Sequence, residues 1–503
     1  MHRSKRLLIL VGVLAVVCAA AFLATRVQEQ QEQVEASGET VLAIDAGNVA
    51  SLAWTSGEAE YAFHKDGTWI YDADEAFPVS AEALEELLAP FSSFNAAFVI
   101  RDVTDYAQYG LEEPECTIEI GTAEASYTIA LGDMSAMDDQ RYVSIGDGNV
   151  YLAVTDPMDA FAVELSDLID NDEIPQMDTV TALSLTGAVE ESIAYVEAGG
   201  PSYSDEDVYF LQSGEESLPL DTDLVEDYLG GIRDLVLTDY ATYNATEIEL
   251  ASFGLNDPAL TVTVEYEQQA EAAEEGAEPE TTAGTLALHI GRVEEAEESA
   301  EETAESAEDI SQEEAQYAYY LRVGDSQIVY NLSDADGEAL FAGSYDDLRH
   351  RQLFWGDFDD VAQATILLDN QTYTLTAQTA ETAETGEDAD AAAESAEPTA
   401  TAAAEDDAEI TWICNGEPVD VTGIRDKLAA LTAEAFTEEA PADQLEISLT
   451  LDLNDEDVPQ VRIQLYRYDG ASCLAVLDGE PAALVAREDV VDLMEAVRTL
   501  LLG

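Results

Sequence analysis

Two six-residue stretches limit the possible folds more than anything else in the chain. Residues 109–114 read YGLEEP and residues 253–258 read FGLNDP; the alternating runs ECTIEIG and ALTVTVEY follow them. Alternation of this kind marks strands with one buried and one solvated face. Gly110 and Gly254 are suited to a backbone conformation that other residues resist, and Pro114 and Pro258 can open a strand where no ladder donor is needed. The reading is a structural seam from helix to sheet, with Tyr109 or Phe253 and Leu111 or Leu255 packing under a helix. Its recurrence marks a repeated unit.

A second element occurs three times without gaps: PVSAEALEELL from Pro78, PLDTDLVEDYL from Pro219 and PVDVTGIRDKL from Pro418. Ser80, Asp221 and Asp420 are the N-cap candidates, and apolar residues follow at helical spacing. A hairpin-like stretch precedes each helix, with Asp66-Gly67, Ser213-Gly214 and Asn415-Gly416 as its turn residues. Strands follow in a matching order: a first strand, a second ending in Gly, an aromatic-rich third, a Gly-Asp turn and a Val-Tyr strand. The third copy, LEISLTLDL onward, lacks the Gly-Leu pair and closes on a helix near 487–502. The expected fold is α+β: antiparallel sheet modules at 41–178, 179–357 and 358–503, each with a packed helix.

Three tracts interrupt this pattern. Residues 267–283 and 293–316 fall where the first module has only GTAEAS and MSAMDD, and 377–409 interrupts the opening hairpin of the third. Their Ala/Glu/Thr composition buries too little apolar area to offset ordering entropy, so disorder or transient helix is expected. Hairpin tips tolerate such lengths because closure entropy grows slowly.

Charge excludes one class of function. Lys and Arg number 18 against 108 Asp and Glu, a formal charge of -90. Nucleic-acid binding needs clustered cations to displace counterions, and anionic lipid repels such a surface. The N-terminus differs: basic MHRSKR precedes the uncharged apolar run 7–24, near the length that spans a bilayer. A basic leading flank keeps the start of the chain in the cytoplasm and exports the rest. The preferred reading makes 1–26 a single-pass transmembrane anchor and 27–40 a polar stalk. A cleaved signal peptide and lipid attachment at Cys18 are the alternatives, and all three place the bulk outside the cytoplasm.

Searches for chemistry return little. The histidines, His2, His64, His289 and His350, form no metal-ligand spacing, and His289 reads as a strand residue. No nucleophile elbow or phosphate-binding loop occurs; FAGSYDD around Ser344 reads as a loop. The acidic tracts 72–75, 170–173, 357–360 and 454–457 lack a full calcium loop, so weak divalent binding is the most they suggest. Cys116 reads as a buried strand residue; whether Cys414 and Cys473 pair stays open. Tyr317 and Tyr319 share a strand face opposite Tyr320, with Tyr142 and Tyr151 in similar places. Cross-strand packing is favoured over a sugar-stacking ladder. No catalytic, cofactor or metal residue is assigned.

The helix, YGLEEP, the strand ending LGD and RYVSIGDGNVYLAV together resemble the bacterial family known as domain of unknown function 4340. FGLNDP, HIGR and YYLRVGDSQIVYNL resemble a second copy. The resemblance covers most of 41–355 and is weak over 358–503. It implies exported, membrane-tethered proteins found beside ABC-transporter and gliding-motility auxiliary components, and it implies no catalytic residues. The expected function is a non-enzymatic, membrane-anchored accessory or scaffold of an envelope transport complex, with an envelope membrane protein as partner. A cell-wall or carbohydrate-binding surface protein is the alternative, and a hydrolase comes third.

Overall fold

The computed structural model describes residues 39–57, 59–136, 139–197, 200–214, 216–269, 281–294, 316–379, 410–442, 444–455 and 458–502. The chain forms two compact units. One holds the described residues up to Glu173 together with 236–248 and 326–330. The other holds 174–235, 249–325 and the described residues from Asn331 on.

The first sheet lies wholly in unit 1. Its strands are β1 (Glu39–Leu42), β2 (Val49–Ser56), β3 (Ala59–Asp66), β4 (Thr68–Tyr71), β5 (Phe94–Ile100), β6 (Cys116–Thr122), β7 (Ser126–Met134), β8 (Arg141–Ser144) and β9 (Val150–Ala153). Their order is β1-β5-β9-β8-β7-β6-β2-β3-β4. The chain leaves one edge after β4 and re-enters near the other at β5, and helix α1 (Ala81–Ser92) makes that passage. Ser80 caps α1 by accepting the Ala83 N–H, as expected. Leu84, Leu87, Leu88 and Phe91 form its buried face, spaced so that one stripe meets the sheet. Burying each such side chain stabilises by about 1.5–3 kcal/mol.

The second sheet repeats the plan. It comprises β10 (Thr179–Gly187), β11 (Glu191–Tyr195), β12 (Tyr209–Ser213), β13 (Glu216–Pro219), β14 (Tyr240–Thr242), β15 (Leu260–Gln269), β16 (Thr281–Glu294), β17 (Tyr317–Val323) and β18 (Val329–Leu332). In unit 2 the order is β13-β12-β11-β10-β15-β16-β17, and in unit 1 β14 pairs antiparallel with the start of β18. Helix α2 (Thr222–Arg233) is capped by Asp221, and α3 (Glu247–Ser252) precedes β15.

The third sheet, in unit 2, contains β19 (Val361–Leu368), β20 (Gln371–Thr379), β21 (Ile410–Cys414), β22 (Glu417–Val419), β23 (Ala433–Phe436), β24 (Leu445–Leu453), β25 (Gln460–Arg467), β26 (Ser472–Leu477) and β27 (Glu480–Ala486). Their order is β22-β21-β20-β19-β24-β25-β26-β27-β23. This reproduces the second sheet position by position, including a β23–β27 pair that answers β14–β18. Helices α4 (Thr422–Ala429) and α5 (Arg487–Leu502) cover it; Ile424, Leu428, Val490, Leu493 and Val497 join Ile447, Leu449, Leu451 and Ile463 in one core. The chain is thus β-rich, with three antiparallel sheets and few helices.

Several expectations need correction. Asp420 does not cap α4: its carboxylate takes the Thr422 N–H and hydroxyl, which leaves Val421, already helical in backbone, at the cap position. The three glycine turns are not equivalent. Gly214 and Gly416 join the last two strands of four-strand runs, β10–β13 and β19–β22, whereas Gly67 joins the last two of the three-strand run β2–β4, one turn earlier. No counterpart of β13 or β22 follows β4; the Pro78-Val79 stretch makes only the single bridge Val79↔Ile169. Strands also reach into the expected inserts, because backbone pairing such as Gln269↔Thr281 and Thr379↔Ile410 continues past the apolar alternation. Residues 270–280, 295–315 and 380–409 lie outside the described residues, as does the apolar run 7–24. The sheet begins at Glu39, inside the expected stalk. No helix among the described residues is long and apolar enough to cross a membrane. Cys414 and Cys473 are free, buried thiols on β21 and β26, with four strands between them. At about 4.8 Å per strand that separation is several times a disulfide's reach.

Candidate functional site

The repeated seam is built from backbone. Gly110 and Gly254 adopt left-handed conformations, φ 68° and 71°. In the first copy the Gly110 N–H donates to the Ala107 carbonyl at 3.1 Å and the Leu111 N–H to the Tyr106 carbonyl at 3.1 Å. In the second, Gly254 donates to Ala251 at 3.2 Å and Leu255 to Leu250 at 2.8 Å. These nested bonds are the Schellman cap, which satisfies the last carbonyls of a helical segment. The segments capped are short, a 3-10 turn at Ala107–Tyr109 and α3, and not α1 or α2.

The side chains depart from expectation in one respect. Leu111 and Leu255 are buried, but the aromatics turn along the sheet: Tyr109 lies 4.9 Å from Tyr142 on β8, and Phe253 lies 4.6 Å from Tyr320 on β17. Pro114 and Pro258 each stand two residues ahead of a strand, β6 and β15. In the first copy Gly110 is itself tight, since a Cβ there would lie 2.7 Å from the Asp133 backbone nitrogen, whereas Gly254 has room; in both copies the tightest backbone contact falls on a residue outside the motif. A Cβ on Gly132 of β7 would sit 2.2 Å from the Tyr109 carbonyl oxygen, and one on Gly291 of β16 would sit 1.9 Å from that of Phe253. The seam therefore docks on a strand glycine in both copies.

Beside the first seam, Arg141 is buried. Its Nε donates to both Asp156 oxygens at 2.8 and 2.9 Å, and its Nη1 reaches Glu115 and the Gly132 carbonyl, each at 2.6 Å. The corresponding residue of the second copy is Tyr319, buried against Gly337. Of the other tyrosines singled out, Tyr151 is buried and bonded to Asp147, and Tyr317 lies under the Arg292 guanidinium at 4.5 Å. His289 meets the Thr261 hydroxyl at 3.2 Å; burial, then Arg322, lowers its pKa.

A second constellation, in unit 2, joins residues far apart in sequence. Asp207 is buried and accepts from the Ser202 hydroxyl, His350 Nε2 at 2.8 Å and the Trp355 indole at 2.9 Å. His350 Nδ1 faces Asp221 at 3.5 Å, and its ring stacks on Trp355 at 4.5 Å. Tyr203 packs on Trp355 and Phe354, and burial holds its phenol well above the usual range. Ser, Asp and His meet here, yet the serine hydroxyl is spent on the carboxylate. Nucleophilic activation needs it on the imidazole.

The segment carrying His350 also binds the third sheet. Leu353 N–H donates to the Leu431 carbonyl, Ala433 N–H to that of Arg351, and Arg349 to that of Ala482 at 3.2 Å. The Arg349 guanidinium lies 3.4 Å over Phe436 and 4.8 Å over Tyr345. A cavity of about 360 Å³ opens beside this segment, with Tyr203, Arg351, Phe436, Leu477 and Glu480 in its wall. The reading from sequence missed this region because Asp207 and His350 stand 143 positions apart. The available signal was Arg349-His350-Arg351, a basic run in a chain with 18 Lys and Arg.

Among the described residues no group of His, Cys, Asp and Glu is placed to hold a metal ion. The acidic tracts are engaged instead: Asp72 with His64, Asp74 with the Tyr243 hydroxyl, Asp172 with Tyr330, and Asp359 with Arg425.

No curated protein and no solved structure matches the chain. A family match does occur; it begins within β4, contains α1, the first seam and α2, and stops short of Phe253. Residues 69–247 match the model of the family described as domain of unknown function DUF4340.

Proposed function

We propose that the protein is a non-enzymatic accessory or scaffold of a bacterial envelope transport complex, anchored by residues 7–24 with its sheets outside the cytoplasm. The observation that carries this reading is the use made of the repeated motif: both copies are consumed in capping a helical turn and docking it on a strand glycine. What recurs is architecture, and three sheets offer faces for partners. The basic flank and apolar run at the N-terminus supply the orientation.

The test uses the full chain in its own membrane. Solubilisation in mild detergent is expected to copurify it with an integral membrane protein, and protease applied to intact cells is expected to degrade residues 41–503. A strictly monomeric protein without a membrane partner, or protection of those residues, overturns the proposal.

A further inference from the structure

The cavity beside Arg349–Leu353 carries unneutralised charge of both signs. Arg351 lines it with an exposed guanidinium whose nearest recorded partner is the Phe436 ring, 5.8 Å away; it makes no ion pair with a described residue. Glu480 lines the same cavity, is exposed, and likewise makes no ion pair. The two face one space without closing on each other, so their charged ends stand more than salt-bridge distance apart. The same wall holds the apolar Leu218, Leu353, Phe436 and Leu477; its other charged side chains are engaged, Arg349 by Asp346, His350 by Asp207 and Asp478 by the Arg462 N–H.

Tyr203 also lines the cavity. The Tyr203 hydroxyl is buried with no hydrogen bond of good geometry, although the Trp355 backbone N–H lies close enough to oppose the rise that burial imposes on its pKa. A buried hydroxyl without a partner costs roughly 1–3 kcal/mol, a deficit that a ligand acceptor would remove. A volume of about 360 Å³ lies within the range of small-molecule sites, which combine apolar walls with a few placed polar groups.

We propose that this cavity binds a small zwitterion with an apolar body, of the amino-acid or dipeptide class. Arg351 takes the carboxylate, Glu480 takes the ammonium group, and the apolar wall takes the side chain. A simple anion would leave Glu480 opposing it, and a simple cation would do the same with Arg351. The site is independent of the scaffold reading above, since it rests on the cavity wall alone.

The test is calorimetric titration of the full chain with L-leucyl-L-leucine, its N-acetyl form and its C-terminal amide. Saturable heat is expected with the free dipeptide, and about tenfold weaker binding with either cap, as for loss of one charge-assisted contact. Arg351→Gln is expected to erase the penalty of amidation alone, Glu480→Gln that of acetylation alone, and Arg351→Lys to keep both. Both positions are exposed, and an unchanged melting temperature shows that each variant is folded. No saturable heat up to about 10 mM dipeptide overturns the proposal. So does binding of either capped form as tight as the free dipeptide, or a capping penalty that neither substitution alters.

Discussion

Substituting Gly291 with Ala tests whether the seam is held by close backbone approach. The new Cβ would lie 1.9 Å from the Phe253 carbonyl oxygen and 3.0 Å from its carbon. No flexible side chain can yield, so the capped turn must retreat by about 1 Å, and overpacking of this kind costs typically 1–3 kcal/mol. Gly254→Ala is the internal control. Its Cβ would find no atom closer than 3.6 Å, so its cost is the left-handed backbone alone, about 1–2 kcal/mol. Gly254→Asn should cost less than Gly254→Ala, because asparagine visits that conformation more readily. The readout is hydrogen exchange at the Leu255 amide, whose bond to the Leu250 carbonyl forms only with the seam closed. At 1.4 kcal/mol per decade, Gly291→Ala should accelerate exchange by about tenfold to a hundredfold. The acceleration should extend into β16, whereas that of Gly254→Ala should stay at the turn. If Gly291→Ala leaves β16 protected and Leu255 no faster than in the control, close approach is not what holds the seam.

Three further outcomes are expected. Arg141→Met should destabilise unit 1 by about 3 kcal/mol, the lower end for a broken buried pair because Glu115 is half-exposed; a thermal shift of only 1–2 °C, where about 2–4 °C per kcal/mol is usual, argues against the network. Tyr243 is pushed up to about 12, first by its hydrogen bond to Asp74 and then by burial, so its contribution is complete below pH 10 and is lost as pH rises through 12. Ultraviolet titration should show a late tyrosinate step that moves down in Asp74→Asn; an unmoved step refutes the coupling. Burial pushes the Cys116 and Cys473 thiols up to about 11, so iodoacetamide at pH 8 should label them only after unfolding, and native labelling seen by mass spectrometry would contradict their placement.

Strand existence was legible where alternation was strong, as in TIEIG and TVTVEY, because one face of each sheet is buried. The seam was legible as a seam because its bonds stay local: Gly110 and Gly254 bond three residues back, and Leu111 and Leu255 five. Gly132 and Gly291 were visible as the glycine ending the second strand, but their role was not, since close contact with a carbonyl across the fold has no local signature. The same holds for Arg141, whose partners Glu115 and Asp156 look like any other acids in so acidic a chain. Strand ends were misplaced at 269, 281 and 379 because backbone pairing outlasts the apolar pattern. The Asp207–His350 cluster was invisible for a different reason: only the tertiary path of residues 344–355 brings those two side chains together.

The outer strands of the three sheets, β1, β4, β13, β14, β22 and β23, are each three or four residues long. Related sheets joined in one chain meet each other at high local concentration while they fold, and exchange of an edge between copies is the characteristic error of tandem repeats. Edges this short expose few free amides and carbonyls, and the prevailing negative charge repels one copy from the next. Fidelity of self-assembly is thereby protected at the rims, which leaves the long inner strands free to resemble one another.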